Sequence, residues 1–405
     1  MTDVRVHLDA GGGLVGAGTA RGTRLRGTDT TEFTYDDRFL AGQSWELSPD
    51  LPLARGRTVV RGLPGALLDS APDTWGRNLI TRREAARARD AGHPAPTLTE
   101  ADFLLGVADT TRQGALRLCL DDAGPYLAER TEVPRLLELG KLLDAARRIA
   151  EDRDAPDAVA VLLDAGSGSL GGARPKASVL DGDVLHIAKF PHHQDRWDVM
   201  RWEAVALDLA AACGLRTPAH QLLEVAGEPV LLVERFDRAE GARRIGYLSG
   251  QSLIGANEAT AADYLELVDA LTAHGSDVAA DLVELWRRIA FSIAINNTDD
   301  HMRNHGFLRG KGGWTLAPIF DVNPNPAPAA SRATSIGGAT TPDDCLEALF
   351  QLSSPFGLSE SAARSQWRDL VATIARWRED ATARGVPAAE QEQFSEVLDR
   401  WSGPI

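Results

Sequence analysis

The sequence predicts an α+β fold of two lobes, a small β-rich lobe followed by a larger helical lobe. The chain has 405 residues, more than one hydrophobic core usually supports, so two or three domains are expected. Short β-like runs separated by glycine fill much of the sequence up to Glu234. Beyond that point the predicted elements are mainly helices, with one β-like interruption.

Residues 1–125 predict a β-rich subdomain with one long helix. The helix covers Asp73–Ala91, with Asp73 in its first turn and many arginines on its exposed side. Strands are expected at Val4–Leu8, Glu32–Tyr35 and Ala115–Leu120, with glycine turns at 11–13 and 16–18.

The rest of the sequence divides into two further predicted parts, residues 126–235 and residues 236–405. In residues 126–235, Asp-Gly between apolar runs predicts a hairpin. The expected elements there are helices Val133–Ala150, Asp157–Asp164 and Arg196–Cys213, and strands Lys176–Leu180, Val184–Phe190, Gln221–Val225 and Pro229–Glu234. The last part predicts helices Ala261–Thr272, Asp277–Asn296, Glu360–Ala383 and Pro387–Trp401, interrupted by β-like runs Gly306–Leu308 and Trp314–Asp321.

Composition and charge exclude several classes of protein. The formal net charge is −15, from 43 Lys+Arg against 58 Asp+Glu, which argues against autonomous binding of nucleic acid. The first residues lack the apolar segment of a signal peptide, and no apolar run is long enough for a membrane helix. The three cysteines (Cys119, Cys213, Cys345) are far apart and form no CxxC pair, so we expect a cytoplasmic protein without disulfides.

The densest polar cluster, Asn296–Asn304, directly follows an apolar helix. Asp299 and Asn304 have the D-x-x-x-x-N spacing of phosphotransferases, in which Asp accepts the hydroxyl proton and Asn binds Mg²⁺. Asp321 follows the apolar run 316–320, where a kinase places a second Mg²⁺ ligand. The pattern predicts a catalytic site with Asp299 as base and Asp300 as the next candidate. The alternative is a solvated loop followed by a turn aspartate.

His301 and His305 are four residues apart, a spacing that on a helix could bind zinc. No glutamate lies between them, and the neighbouring Asn304 and Gly306 favour a loop. A zinc hydrolase is therefore not predicted. We expect His301 to orient the loop or to contact phosphate.

The turn Gly166–Gly172 contains the pattern G-x-G-x-x-G. It does not open a helix, because Pro175 and Val179 favour extended chain, so a dinucleotide-binding fingerprint is not supported. A glycine loop leading into a strand suits phosphates that are covered by backbone N–H groups. We expect Gly171 and Gly172 to contact nucleotide; a plain linker is the alternative.

Lys189 lies near the end of an otherwise apolar strand, apart from His186. A buried lysine there needs an anionic partner, which ATP phosphates would supply, with Glu203 as the orienting carboxylate. The alternative is an edge lysine that reaches water. The segment Glu234–Arg238 follows an apolar run and is interpreted as the linker between lobes, whose backbone faces adenine.

Five segments resemble, in order and spacing, the signature segments of HipA-type kinases. They are Ser169–Lys176, His186–Pro191, Glu234–Arg238, Asn297–Asn304 and Pro318–Asp321. Leu68–Arg77 and Pro355–Ser359 look like further parts of the family, so the resemblance covers nearly the whole chain. The N-terminal match is looser, with Ala71 where the family usually has leucine, which leaves partner contacts there open.

The resemblance implies a protein-kinase-like fold and an ATP- and Mg²⁺-dependent Ser/Thr protein kinase. By similarity Asp299 is the base, Asn304 and Asp321 bind Mg²⁺, and Ser169 is autophosphorylated, with Ser167 as the nearby alternative. The implied ATP-binding residues are Lys189, Glu234, Phe236, His301, Gly171 and Gly172, with Glu203 orienting the lysine.

The family also implies partners. Its members are toxins that a small DNA-binding antitoxin, HipB-like, commonly silences. They phosphorylate a serine or threonine of a target protein, in some cases an aminoacyl-tRNA synthetase. Two other interpretations stay open: a small-molecule kinase, and an inert nucleotide-binding partner of an antitoxin. The sequence does not identify the substrate.

Overall fold

A computed structural model describes residues 3–9, 13–25, 28–42, 45–121, 126, 132–151, 155–167, 174–256 and 262–403. The chain forms two compact units, one of Met1–Gln194 with Leu223–Leu248 and one of Asp195–Leu222 with Ser249–Ile405. None of the helices in the described ranges has the length and apolar character needed to cross a membrane.

The helices and strands follow one another along the whole chain. The helices are α1 (Asp37–Gly42), α2 (Gly65–Leu68), α3 (Thr74–Asp90), α4 (Glu100–Leu105), α5 (Leu139–Glu151), α6 (Pro156–Asp164), α7 (Val199–Ala212), α8 (Gly250–Leu253), α9 (Tyr264–His274), α10 (Val278–Ala294), α11 (Pro342–Gln351), α12 (Glu360–Ile374), α13 (Trp377–Ala383) and α14 (Ala388–Leu398). The strands are β1 (Asp3–Asp9), β2 (Leu14–Leu25), β3 (Thr28–Tyr35), β4 (Arg57–Arg61), β5 (Leu116–Cys119), β6 (Lys176–Asp181), β7 (Val184–Lys189), β8 (His220–Val225), β9 (Glu228–Glu234), β10 (Arg238–Ala239), β11 (Arg243–Arg244), β12 (Tyr247–Ser249), β13 (Gly306–Gly310) and β14 (Gly313–Leu316).

The first unit opens with an antiparallel sheet of strand order β4-β3-β2-β1-β5. The expected turn at Gly16–Gly18 is wrong, because these residues lie inside β2. A Cβ on Gly18 would lie 2.2 Å from the carbonyl oxygen of Thr34. The glycine is therefore needed for the close pairing of β2 with β3. In the sequence alone, the same glycine was interpreted as a turn.

A second sheet, of strand order β6-β7-β9-β8, carries the predicted hairpin. β6 and β7 pair antiparallel around Asp181–Val184, and Gly182 in this turn has a φ of 58°. The positive φ explains why the Asp-Gly pair marked the turn. Val179, Ala188 and Leu232 from three of its strands share one core with α3, α5 and α6.

Helix α3 begins one residue later than expected. Asp73 is its N-cap, and the Asp73 carboxylate accepts a hydrogen bond of 2.6 Å from the amide of Gly76. Capping satisfies an amide at the helix start that has no partner within the helix. The helix buries Trp75, Leu79 and Ile80 against the shared core.

The second unit consists mainly of helices around an aromatic core. Trp202 of α7 stacks on Phe394 of α14, with 4.0 Å between the ring centroids. The predicted single helix Glu360–Ala383 is wrong: α12 ends at Ile374 and α13 starts at Trp377. Trp377 is fully buried near Trp202, so packing rather than a local glycine or proline accounts for the break. The helix α11 had no counterpart in the sequence prediction.

The three cysteines are free thiols, and all are buried. Burial raises the pKa of Cys213 to about 12 and that of Cys345 to about 11.

Candidate functional site

Helix α10 delivers the polar loop Asn296–Asn304. The helix buries an apolar face and ends at Ala294, and Asn296 then adopts a left-handed φ of 54°. The backbone amide of Asn297 donates a hydrogen bond of 2.8 Å to the carbonyl of Ser292. Asparagine tolerates this conformation better than most residues, so the sequence Asn-Asn terminates the helix at a defined place.

Two adjacent acids in this loop have opposite surroundings. Asp299 is exposed to solvent, whereas Asp300 is only 6% exposed. One carboxylate oxygen of Asp300 accepts a hydrogen bond of 2.5 Å from the hydroxyl of Tyr264. The other lies 3.1 Å from Nε2 of His305. Asp300 is therefore an anchor of the loop, which counts against it as the alternative base.

Arg332 completes the surroundings of Asp300. Its guanidinium lies 3.3 Å from the Asp300 carboxylate and donates to the carbonyl of Asn297 at 2.9 Å. Burial acts to raise the pKa of Asp300, but His305, Arg332 and Tyr264 outweigh burial and hold the pKa below its ordinary value. The carboxylate thus stays ionised inside the protein and fixes the loop from its inner side.

Asn304 closes the loop on the other side of Asp299. Its amide nitrogen donates to the backbone carbonyl of Asp299 at 3.0 Å, within a 3₁₀ turn over Met302–Asn304. This bond uses the NH₂ end of the amide, so the amide oxygen is the end left for a cation. A side-chain oxygen is the kind of ligand that Mg²⁺ prefers.

The two histidines of the loop have separate surroundings. His305 faces Asp300, while Nδ1 of His301 is buried without a hydrogen-bond partner. Within the described ranges, no group of three or more His, Cys, Asp or Glu side chains could hold a metal ion. A magnesium site of one carboxylate, one amide oxygen and nucleotide phosphates needs no such group.

Asp321 follows the hairpin of β13 and β14. The β-like run was expected to extend from Trp314 to Asp321, but β14 ends at Leu316. The next residues leave the strand, and the amide of Ile319 donates to the carbonyl of Arg216 at 2.8 Å. Asp321 itself has a φ of 55°, a left-handed conformation that costs about 1–2 kcal/mol outside glycine. Such local strain is often found at functional sites.

The segment after Asp321 folds back onto the polar loop. The side chain of Asn296 donates to the carbonyl of Asn325 at 2.6 Å, and the amide of Asn325 donates to the carbonyl of Asn296 at 3.0 Å. The Asn325 side chain also donates to the hydroxyl of Thr298 at 2.7 Å. The structure therefore holds the segment that carries Asp321 against the loop that carries Asp299 and Asn304.

In the first unit, Lys189 is the last residue of β7. It lies opposite Leu231 of β9 and opposite Lys176 of β6. Lys176 is the buried lysine of this sheet, only 3% exposed, and it donates to Asp73 at 2.8 Å. This ion pair was not predicted, because its partners are more than a hundred residues apart in the sequence.

The segment Glu234–Arg238 alternates between buried and partly exposed side chains. Glu234 and Phe236 are partly exposed, and Arg235 and Asp237 are buried. Burial acts to raise the pKa of Asp237, but Arg235, Arg238 and the amide of Gly114 hold it below its ordinary value. The buried side chains of Arg235 and Asp237 therefore fix the backbone at Glu234 and Phe236, the two residues that are predicted to contact adenine.

Three predicted residues, Ser169, Gly171 and Gly172, lie outside the described residues. Ser167 is fully buried, which counts against it as the phosphate acceptor. Glu203 lies in α7 of the second unit and is 2% exposed. Its role in orienting Lys189 stays a prediction.

Comparisons with known proteins identify the relatives of this chain. Residues 168–378 match the HipA-like C-terminal domain, and residues 15–93 match the HipA N-terminal domain. A protein of Haemophilus influenzae named as a candidate kinase is 27% identical over 150 residues, covering 33% of this chain and 43% of the relative. The Sinorhizobium fredii protein Y4mE, likewise named, is 28% identical over 149 residues, covering 34% of this chain and 33% of the relative. The chain thus spans less than half the length of each of these curated relatives.

A solved structure extends the comparison to the whole fold. It is a chain of the Shewanella oneidensis complex of HipA, HipB and operator DNA, with a TM-score of 0.69 and 17% sequence identity. The match covers 99% of this chain and 97% of that chain. The two-lobed, protein-kinase-like α+β fold expected from the sequence is confirmed. Because the C-terminal domain match spans more than half of the sequence, the chain belongs to the HipA family.

Proposed function

We propose that this protein is an ATP-dependent Ser/Thr protein kinase that acts as the toxin of a toxin–antitoxin pair. The observation that carries the proposal is the polar loop, in which an exposed Asp299 stands beside a buried, ionised Asp300. A general base needs access to its substrate and a rigid support. Asp300 and its partners provide the support, and the exposure of Asp299 provides the access.

In the proposed reaction, Asp299 accepts the proton of a serine or threonine hydroxyl. The hydroxyl oxygen forms a bond to the γ-phosphorus of ATP, the bond to the β,γ-bridging oxygen breaks, and ADP leaves with the bonding electrons. The amide oxygen of Asn304 and the carboxylate of Asp321 would hold Mg²⁺, which neutralises phosphate charge when bound. Their oxygen ligands and their segments' mutual contacts fit this role.

ATP would be held chiefly by residues of the first unit. Lys189 is proposed to contact the phosphates, with Glu203 as its orienting partner. Backbone and side chains at Glu234 and Phe236 are proposed to contact adenine. Gly171, Gly172 and His301 are proposed to contact the phosphates, and the unpartnered Nδ1 of His301 supports this for the loop histidine.

The proposed regulation is autophosphorylation of Ser169. A phosphoserine carries about −1.5 to −2 charge at neutral pH, and beside ATP phosphates this charge would repel the nucleotide. The complete burial of Ser167 favours Ser169 as the acceptor. Intact-mass and peptide mapping after incubation with Mg²⁺-ATP would locate the modification. An unmodified Ser169 in an enzyme that phosphorylates other proteins would contradict this regulation.

The proposed partners are a target protein and a HipB-like antitoxin. The solved relative from Shewanella oneidensis occurs in a complex with HipB and operator DNA, which supports an antitoxin partner here. Co-expression with the product of a neighbouring helix-turn-helix gene, followed by co-purification, would test it. Phosphoproteomics after brief induction would identify the target protein and would show whether it is an aminoacyl-tRNA synthetase.

One experiment tests the proposed reaction. The pure protein is incubated with γ-labelled ATP, Mg²⁺ and a cell lysate, beside the variant Asp299→Asn. We expect label in protein bands for the wild type and loss of that label in the variant. Label in a soluble metabolite would instead indicate a small-molecule kinase. Tight ATP binding without any transfer would indicate an inert partner of an antitoxin.

A further inference from the structure

The loop Asp109–Gly114 of the first unit contacts both segments that flank the proposed nucleotide site, although the proposed chemistry uses none of its residues. The loop lies just before β5 of the N-terminal sheet. It contacts the proposed adenine-contacting segment Glu234–Arg238, and it also contacts Gly166, the first residue of the glycine-rich turn.

The contact with Glu234–Arg238 is a buried network of charges. Asp237 accepts hydrogen bonds from Arg235 at 2.9 and 2.6 Å and from the amide of Gly114 at 2.8 Å. Arg235 also donates to the carbonyl of Thr111 at 2.6 Å. The side chains of Arg235 and Asp237 are 2% and 4% exposed. Since both charges are out of water, neither can lose its partner without a large cost.

The network continues towards the helices of the N-terminal region. Arg238 donates to the carbonyl of Arg112 at 2.7 Å. The side chain of Arg112 is fully buried and donates to the carbonyl of Ser70 at 2.8 Å. An unbroken series of hydrogen bonds therefore joins the residues before α3 to the segment proposed for adenine.

The contact with the glycine-rich turn is steric. Gly166 has a φ of 68°, and a Cβ there would lie 2.3 Å from the hydroxyl oxygen of Thr111. At the other end of the turn, Lys176 is paired with Asp73 of the N-terminal region at 2.8 Å. Residues on both sides of the turn are thus held by the N-terminal part of the chain.

We propose that Arg235 and Asp237 are positioning residues through which the N-terminal region, residues 3–121, sets the affinity for ATP. They fix the backbone between Glu234 and Phe236 against the loop Asp109–Gly114, so a change in that loop alters the adenine-contacting segment. By thermodynamic reciprocity, if a partner that binds the N-terminal region changes the affinity for ATP, ATP changes the affinity for that partner by the same factor. This inference rests on the proposed function.

The first test separates ATP affinity from turnover. Affinity for a non-hydrolysable ATP analogue and the phosphotransfer rate at saturating ATP are measured for Asp237→Asn and for the milder Arg235→Lys. We expect ATP-analogue binding to weaken roughly tenfold, with the saturated rate within about twofold of wild type. The control is Glu100→Gln, which breaks the Arg77–Glu100 pair elsewhere in the N-terminal region and should leave both quantities unchanged.

The second test uses the wild type alone, so it does not depend on a variant that folds. Hydrogen exchange is followed in peptides covering Asp109–Leu118, with and without the ATP analogue. We expect slower exchange of the Gly114 amide, which bonds to Asp237, when the analogue is bound. A wild type that transfers phosphate, with unchanged exchange there and with folded variants of wild-type affinity, would overturn this inference alone. A wild type that does not bind the analogue would overturn the proposed function as well.

Discussion

The loop Asn296–Asn304 and the segment Glu234–Arg238 use one arrangement of neighbouring residues in two different ways. In each, a buried aspartate anchors the backbone beside an accessible residue with a proposed role. Asp300 supports the neighbouring Asp299 in an irregular loop, while Asp237 supports Phe236 in the turn between β9 and β10. The partners of Asp300 lie within the second unit, and those of Asp237 lie within the first.

The difference lies in what each anchor couples. Tyr264, His305 and Arg332 belong to the elements that build the catalytic loop itself, so Asp300 fixes the proposed base. Asp237 instead bonds to Gly114, which precedes it by 123 residues, so it ties the nucleotide segment to a remote region. We therefore expect substitution of Asp300 to lower turnover and substitution of Asp237 to lower the affinity for ATP.

The largest expected effect separates the two acids of the loop. Asp299→Asn should lower kcat by roughly 10²–10⁴, with ATP affinity kept and the free energy of unfolding changed by less than about 0.5 kcal/mol. Asp300→Asn should lower kcat too. It should also lower the free energy of unfolding by about 3–5 kcal/mol, because the buried Arg332 loses its carboxylate partner. Urea unfolding and phosphotransfer assays of both variants check this. Equal stability of the two would contradict the anchor role of Asp300.

A second prediction concerns the metal. Asp321→Ala removes the proposed carboxylate ligand and should raise the Mg²⁺ concentration needed for half-maximal phosphotransfer by roughly tenfold or more. Titration of Mg²⁺ at fixed ATP measures it. The control Asp321→Gly keeps the left-handed φ of 55° accessible, so a backbone effect would appear in Ala and not in Gly. An unchanged metal dependence in both would return Asp321 to a turn residue.

The third prediction concerns acid. The pKa of Asp300 and that of Asp237 are lower in the folded protein than the ordinary 3.8. Their stabilising contributions are therefore fully present above about pH 4 and are lost as pH falls through the lowered folded-state values. Urea unfolding at a series of pH values should show no loss from these groups between pH 7 and 5. In Asp300→Asn the decline in strong acid should be shallower than in the wild type, and an identical decline would contradict the prediction.

The smallest effect is expected at Tyr264. Tyr264→Phe removes the hydrogen bond to Asp300 and the one that Arg332 donates to the Tyr264 hydroxyl at 3.0 Å. The contacts of Arg332 and His305 with Asp300 remain, so the free energy of unfolding should fall by about 1.5–3 kcal/mol. Phosphotransfer should fall by less than in Asp300→Asn. A larger loss than in Asp300→Asn would show that Tyr264, rather than Arg332, dominates the support of the loop.

Much of the fold was accessible from the sequence because local patterns determine it. The Asp-Gly turn between β6 and β7 and the end of α7 before Gly214 are set by neighbouring residues, and both were predicted. The edge strand β4 was missed because its sequence, Arg57–Arg61, alternates between exposed and half-buried positions and leaves no apolar face. The break after α12 was missed because only the packing of Trp377 marks it.

In the candidate site, too, the features set by neighbouring residues were predictable and those set by distant partners were not. The spacing of Asp299 and Asn304 is local, and the structure brings the segment of Asp321 to the same loop. The anchors were not predictable, because Asp300 and Arg332 are 32 residues apart and Lys176 and Asp73 are 103 apart. Adjacent acids such as Asp299 and Asp300 gave no sign of which one is buried, since burial depends on partners from other elements.

The buried thiols make the two units distinguishable in solution. Cys119 belongs to the first unit, and Cys213 and Cys345 belong to the second. A thiol reagent attacks the thiolate, so a buried thiol with a raised pKa reacts only when its surroundings open. Alkylation followed by mass mapping of each cysteine therefore gives separate opening rates for the β-rich and helical parts of the chain. Nucleotide or an antitoxin could then be assigned to the part whose opening it slows, without any engineered label.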